Sequence, residues 1–156
     1  AVIDFCRYVM GMTDANSTEL DEETTTPVIG LIEELARREY EGNEMKKHSM
    51  LGGTMRLGAK EDLLTSGSLA ARSYGAEVIS ERHRHRYEVN PEYRNALEAH
   101  GLIVTGLSKE EGFIDVVELK GHRWFIGCQF HPEFTSKPLK PHPLFVSLLK
   151  AAIKTC

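Results

Sequence analysis

The 156-residue chain is short of several things, and each shortage narrows what it can be. It has three cysteines, Cys6, Cys128 and Cys156, odd in number and far apart, with no Cys-x-x-Cys or Cys/His ligand spacing. Neither a disulfide framework nor a zinc finger is built that way, and a reduced, cytoplasmic setting is expected. No apolar run approaches the roughly 18 to 20 residues of a membrane span, and no signal-peptide pattern opens the chain. There is no positive excess: 19 Lys and Arg stand against 23 Asp and Glu, for a net charge of −4. Nucleic acid and anionic membrane are therefore not expected as partners. There is no Gly-x-x-x-x-Gly-Lys-[Ser/Thr] segment, so no Walker-type nucleotide site is read, and there is no internal repeat. An initiator Met is also missing. Val2, Phe5, Cys6 and Val9 form a helical stripe with no N-cap before it, as if a helix were entered partway along, and we expect the sequence to be the later part of a longer chain.

What is present fits one domain, with 41% hydrophobic residues to build its core. The opening helix is expected to stop at Gly11. Thr13 to Thr26 reads as an acidic loop without periodicity, and Pro27 to Ile32 as a short buried strand or turn. Glu33 to Glu41 has helical composition. The Gly52-Gly53 pair reads as a turn leading into a strand, with a phosphate-binding loop as the weaker alternative. Ser68 to Tyr74 suggests a helix, Ala76 to Ser80 a strand, and Pro91 to His100 a helix with proline in its first turn and Gly101 at its end. Leu102 to Gly106, Phe113 to Leu119 and Trp124 to Phe130 read as three strands on hairpin-length connections, which favours antiparallel or mixed pairing. Leu144, Phe145, Leu148, Leu149 and Ala152 form the apolar stripe of a final packing helix.

Two stretches carry chemistry. The strand read at Trp124 to Phe130 ends abruptly at His131-Pro132-Glu133. That would place a base and an orienting carboxylate at a sheet edge, where open α/β folds collect their catalytic groups. The bland alternative is a pair that merely caps the following turn. The second stretch is Glu81-Arg82-His83-Arg84-His85-Arg86-Tyr87-Glu88. In an extended backbone, period two separates Arg82, Arg84 and Arg86 from His83, His85 and Tyr87. One arginine of that row is a candidate for clamping a carboxylate bidentately. A zinc site is disfavoured, because the arginine charges oppose a cation and no Cys or carboxylate completes a known spacing.

Four separated segments, Asp14-Ala15-Asn16-Ser17-Thr18-Glu19, Gly52-Gly53-Thr54-Met55-Arg56-Leu57-Gly58, Arg82 through Asn90, and Cys128-Gln129-Phe130-His131-Pro132-Glu133-Phe134, together resemble the class I (triad-type) glutamine amidotransferase domain at the C-terminal end of CTP synthases. The resemblance runs in order along the chain. It implies an α/β fold of three layers, with a central mixed, mainly parallel sheet flanked by helices and its N-terminal strands missing. Residues 1–156 would be a partial amidotransferase domain, and the synthase domain would be absent. The resemblance also implies roles. His131 would be the base, Glu133 its orienter, Glu19 the partner of the glutamine amino group and Arg86 that of its carboxylate. The cysteine nucleophile of such enzymes sits in an elbow of the Gly-x-Cys-Leu-Gly-x-Gln type. This sequence lacks that elbow, so Cys6, Cys128 and Cys156 are read as structural thiols and the chain alone as inactive.

For the parent enzyme the resemblance implies ATP and Mg in the missing synthase domain, GTP as an allosteric activator and a homotetramer. No cofactor or metal is expected in this chain itself, whose partners would be L-glutamine and the synthase domain. Lys46 and Lys47 are candidates for the junction with that domain. A different functional class stays open, a non-catalytic glutamine-sensing or regulatory module of amidotransferase ancestry. Another class I amidotransferase or a γ-glutamyl hydrolase ranks behind both, since neither accounts for the arginine-histidine run.

Overall fold

The computed structural model describes residues 1–31 and 55–153. The expected Glu33 to Glu41 helix, the Gly52-Gly53 turn, Lys46, Lys47 and Cys156 lie outside the described residues. The chain divides into two compact units, Ala1–Arg56 with His85–His100, and Leu57–Arg84 with Gly101–Cys156.

In the first unit the opening stripe becomes helix α1, Val2–Tyr8, which buries Cys6. It ends before Gly11, whose φ of 72° suits a residue without a Cβ. The segment read as a structureless loop holds a short strand, β1 (Ala15–Ser17). It runs parallel to β2 (Thr26–Leu31), with Ala15 opposite Thr26. Three residues are too few for a period-two pattern to register, which is why the sequence hides β1. Strand β5 (Tyr87–Val89) pairs antiparallel with β2, Ile29 opposite Val89 and Leu31 opposite Tyr87. Asn90 locks the exit of β5: its backbone N–H donates to Val28 O, its side-chain amide donates to Pro27 O, and its Oδ1 accepts from Glu92 N. A 3-10 turn, Pro91–Tyr93, and helix α3 (Arg94–Ala99) follow, with Leu97 fully buried.

The second unit is built on a five-stranded sheet in the order β4-β3-β6-β7-β8. Its strands are β3 (Arg56–Leu64), β4 (Val78–His85), β6 (Leu102–Ser108), β7 (Ile114–Leu119) and β8 (Ile126–Cys128). The β3–β6, β6–β7 and β7–β8 pairs are antiparallel, and for β6–β7 and β7–β8 the hairpin-length connections require it. The fold is thus mixed α/β as expected. Strands β1 and β2 pair in parallel, and β2 pairs with β5 antiparallel. Helix α2 (Leu69–Tyr74) starts at Ser68, whose hydroxyl accepts from Ala71 N. The Glu118 carboxylate on β7 accepts from Leu69 N and Ala70 N, so three of the free N–H groups of that first turn are satisfied. Leu64, Ala70, Ala71, Ile79, Val116, Phe130 and Leu144 form the core.

Helix α5 (Pro143–Ile153) buries Leu144, but Leu148 and Leu149 are exposed. The packing predicted from its apolar stripe is therefore only partly made within this unit. Hydrogen bonds anchor α5 instead. Trp124 Nε1 donates to Ser147 Oγ at 2.8 Å, and Ser147 and Ser73 are joined at 2.8 Å.

Candidate active site

The apolar run at 124–130 pairs as a strand only over Ile126–Cys128. Beyond it Gln129 N donates to Asp115 O and Phe130 is buried, so the chain stays anchored up to His131. Pro132, which has no N–H to give a ladder, opens the four-residue helix α4 (Pro132–Thr135), with His131 at its N-cap.

The His131 side chain makes no capping bond. Its Nδ1 lies 2.7 Å from Glu133 Oε1. The hydrogen bond from His131, and then a backbone hydrogen bond, hold the Glu133 carboxyl below its ordinary value. A carboxylate is an acceptor only, so Nδ1 carries the proton and Nε2 keeps its lone pair. The His131 ring is thus engaged by the Glu133 carboxylate and not in capping the turn. Phe134 stacks on the imidazole at 4.8 Å and 26°, which limits rotation of the ring. The histidine is half-exposed, open to a substrate.

The strand with the arginine-histidine run follows the period-two reading. Arg82 and Arg84 are exposed, while Glu81 and His83 are buried. The row breaks at Arg86, a bend between β4 and β5, where the guanidinium is exposed. The base of that bend, in the first unit, is rigid. Glu88 is fully buried and takes Arg56 at 3.0 Å and His85 Nδ1 at 3.3 Å. Glu19 stands in the turn after β1, also in the first unit. Its N–H donates to Ser17 Oγ, and Ser17 O accepts from Leu20 N and Asp21 N, leaving the carboxylate exposed. Glu19 and Arg86 are both exposed, and among the described residues neither takes part in an ion pair. His131 and Glu133 are in direct contact, whereas Glu19 and Arg86 are displayed separately from two turns.

Neither described cysteine is suited to nucleophilic attack. Cys6 is fully buried and its thiol is pushed up by that burial. Cys128 is pushed up to about 12, chiefly by burial and then by the negative charge of Glu81, Glu133, Asp62 and Asp115. Its thiol faces Phe130 O at 3.6 Å. A catalytic thiol needs the opposite surroundings, positive and open.

Sequence reasoning missed Phe134, Glu81 and Thr135. Glu81 had a usable signal: it falls inward in register with Ile79 and His83, and an acid buried in a strand needs partners.

The family model for glutamine amidotransferase class-I matches residues 16–151. A CTP synthase from Methanothermobacter thermautotrophicus is 49% identical over 153 residues, which is 98% of this chain and 27% of that protein. The solved glutaminase domain of Trypanosoma brucei CTPS, with acivicin bound, superposes with a TM-score of 0.81 at 34% identity, covering 98% of this chain and 56% of that one. The chain belongs to the class I glutamine amidotransferase family. It spans about a quarter of the length of the CTP synthase it matches and about half of the solved glutaminase chain.

Proposed function

We propose that this chain is part of the glutaminase of a CTP synthase, hydrolysing glutamine to glutamate and ammonia. The observation that carries the reading is the His131–Glu133 contact of 2.7 Å, with Nε2 left basic. In the reaction a cysteine thiol gives its proton to His131 Nε2 as its sulfur attacks the side-chain amide carbon of glutamine. Glu133 stabilises the imidazolium so formed. His131 then returns the proton to the departing nitrogen, which leaves as ammonia, and a thioester remains. Water, deprotonated by the same Nε2, attacks the thioester, and the thiol leaves with that proton to release glutamate. Glu19 holds the substrate's ammonium and Arg86 its carboxylate, the latter by paired charge-assisted hydrogen bonds.

Neither Cys6 nor Cys128 is the nucleophile in this reading, because their local environments oppose thiolate formation, and by the similarity to CTP synthases it would sit in a Gly-x-Cys-Leu-Gly-x-Gln elbow that residues 1–156 do not contain. The chain alone would then be inactive as a glutaminase. By its similarity to CTP synthases, the ammonia would pass to a synthase domain. There ATP, with Mg, phosphorylates O4 of UTP, and ammonia displaces that phosphate to give CTP. Activation by GTP and tetramer formation come with the same similarity, and none of these groups is assigned to residues of this chain.

In the complete polypeptide His131→Ala should abolish glutaminase activity, and Glu19→Ala or Arg86→Ala should raise KM for glutamine more than they lower kcat. Retained turnover in His131→Ala would overturn the role of the base. Losses confined to kcat in the other two would overturn the clamp. The unreactive surroundings of Cys6 and Cys128 favour a second reading, a glutamine-sensing module without catalysis. Glutamine binding by the complete polypeptide with no ammonia release would select it.

A further inference from the structure

Helix α4 carries the His131–Glu133 pair, yet it is a single turn of four residues, far too short to hold its own shape. Two hydrogen bonds tie it to β4. At its start, His131 N donates to Arg82 O at 2.9 Å. At its end, Thr135 Oγ1 donates to Glu81 Oε2 at 3.1 Å. Glu81, 5% exposed, is itself fixed on its other oxygen. Tyr74 OH donates to Oε1 at 2.8 Å, and His142 Nε2 lies 2.8 Å from the same atom. His142 Nδ1 accepts from Leu144 N, so its proton sits on Nε2 and points at Glu81. Three donors from α2, α4 and the segment leading into α5 thus converge on one buried carboxylate.

We propose that Glu81 is a positioning residue for the His131–Glu133 pair, acting through Thr135 to fix the single turn on which the pair stands. Resting on the glutaminase reading for its purpose, the inference goes beyond it. Glu81 touches neither partner, and its neighbours Tyr74 and His142 serve to aim it. When the Thr135 tether is cut, α4 loses its bond to Glu81 and its end is left to Ser136, whose Oγ accepts from His142 N at 3.1 Å. The Glu133 carboxylate then wanders from Nδ1, and the imidazole loses its preference for the tautomer with a basic Nε2.

Thr135→Val tests this, since the residue is exposed and valine keeps its shape while removing the donor. Nitrogen NMR of His131 in the complete polypeptide, at a pH where the ring is neutral, reads the tautomer directly. The wild type should hold the proton on Nδ1, Thr135→Val should populate both tautomers, and Thr135→Ser should restore the single one. In the complete polypeptide the valine variant should lower kcat for glutamine hydrolysis about tenfold, with KM unchanged. An unaltered tautomer in Thr135→Val, with the rest of the spectrum in place, would overturn the proposal. Because the tautomer is read without glutamine, it decides the positioning role even where the complete polypeptide proves no glutaminase.

Discussion

Alkylation of Cys128 offers the sharpest check on the site. Its thiol is pushed from 9.0 to about 12, a displacement of three units. Each unit is tenfold in thiolate, so at pH 8 the folded protein presents about a thousandth of the thiolate of an ordinary cysteine. A more basic thiolate is also a better nucleophile, and with a Brønsted slope near 0.4 to 0.5 this recovers a factor of about 15 to 30. The net expectation is a rate about 30- to 60-fold below that of the same cysteine in the unfolded chain, before any loss from restricted access. Iodoacetamide labelling at pH 8, quenched over time and followed by peptide mass spectrometry, measures this for Cys6 and Cys128 in one tube. The chain in guanidinium chloride is the reference. Cys6 should also be slowed, since it is fully buried. If Cys128 of the folded protein labels within about threefold of its unfolded rate, the burial and the acidic surroundings do not control it. It would then return as a candidate nucleophile.

The same displacement makes stability depend on pH. Above pH 9 the unfolded chain releases the Cys128 proton while the folded chain keeps it, so the folded state binds more protons and stability falls as pH rises. The loss is about 1 kcal/mol between pH 9 and 10 from this group, measurable by urea unfolding and reduced in Cys128→Ala. Tyr74, held protonated by burial and by its bond to Glu81, adds a loss of the same sign above pH 10. Gly106→Ala should destabilise by about 1 to 3 kcal/mol in a thermal melt. The new Cβ would stand 2.6 Å from Val116 Cγ2 and 3.0 Å from Leu64 Cδ2, both in the core of the second unit. Ser68→Ala should cost about 1 kcal/mol, and Glu118→Ala more, because the first frees one N–H of α2 and the second frees two. Equal costs in the two variants would show that Glu118 does not act as a cap.

What the sequence made legible follows the range over which each signal acts. The β4 pattern was readable because alternation is local: Ile79, Glu81 and His83 turn inward and Arg82 and Arg84 outward, as period two demands. The start of α2 was readable from Ser68, which acts on its own backbone, whereas Pro91 opens a 3-10 turn and α3 begins only at Arg94, three residues later than its proline suggests. β8 came out shorter than its apolar run, because pairing is decided by the partner, and β7 meets it only at Val116, Val117 and Glu118. The His131–Glu133 contact was visible from a spacing of two. Its supports were not, because Glu81 finds Thr135 across 54 residues and His142 across 61. No periodicity spans such a distance. A contacting pair can therefore be read from one short stretch of sequence, whereas the contacts that hold the turn beneath it belong to the fold. A variant that keeps His131 and Glu133 but cuts one remote tether separates the chemistry of the pair from its placement.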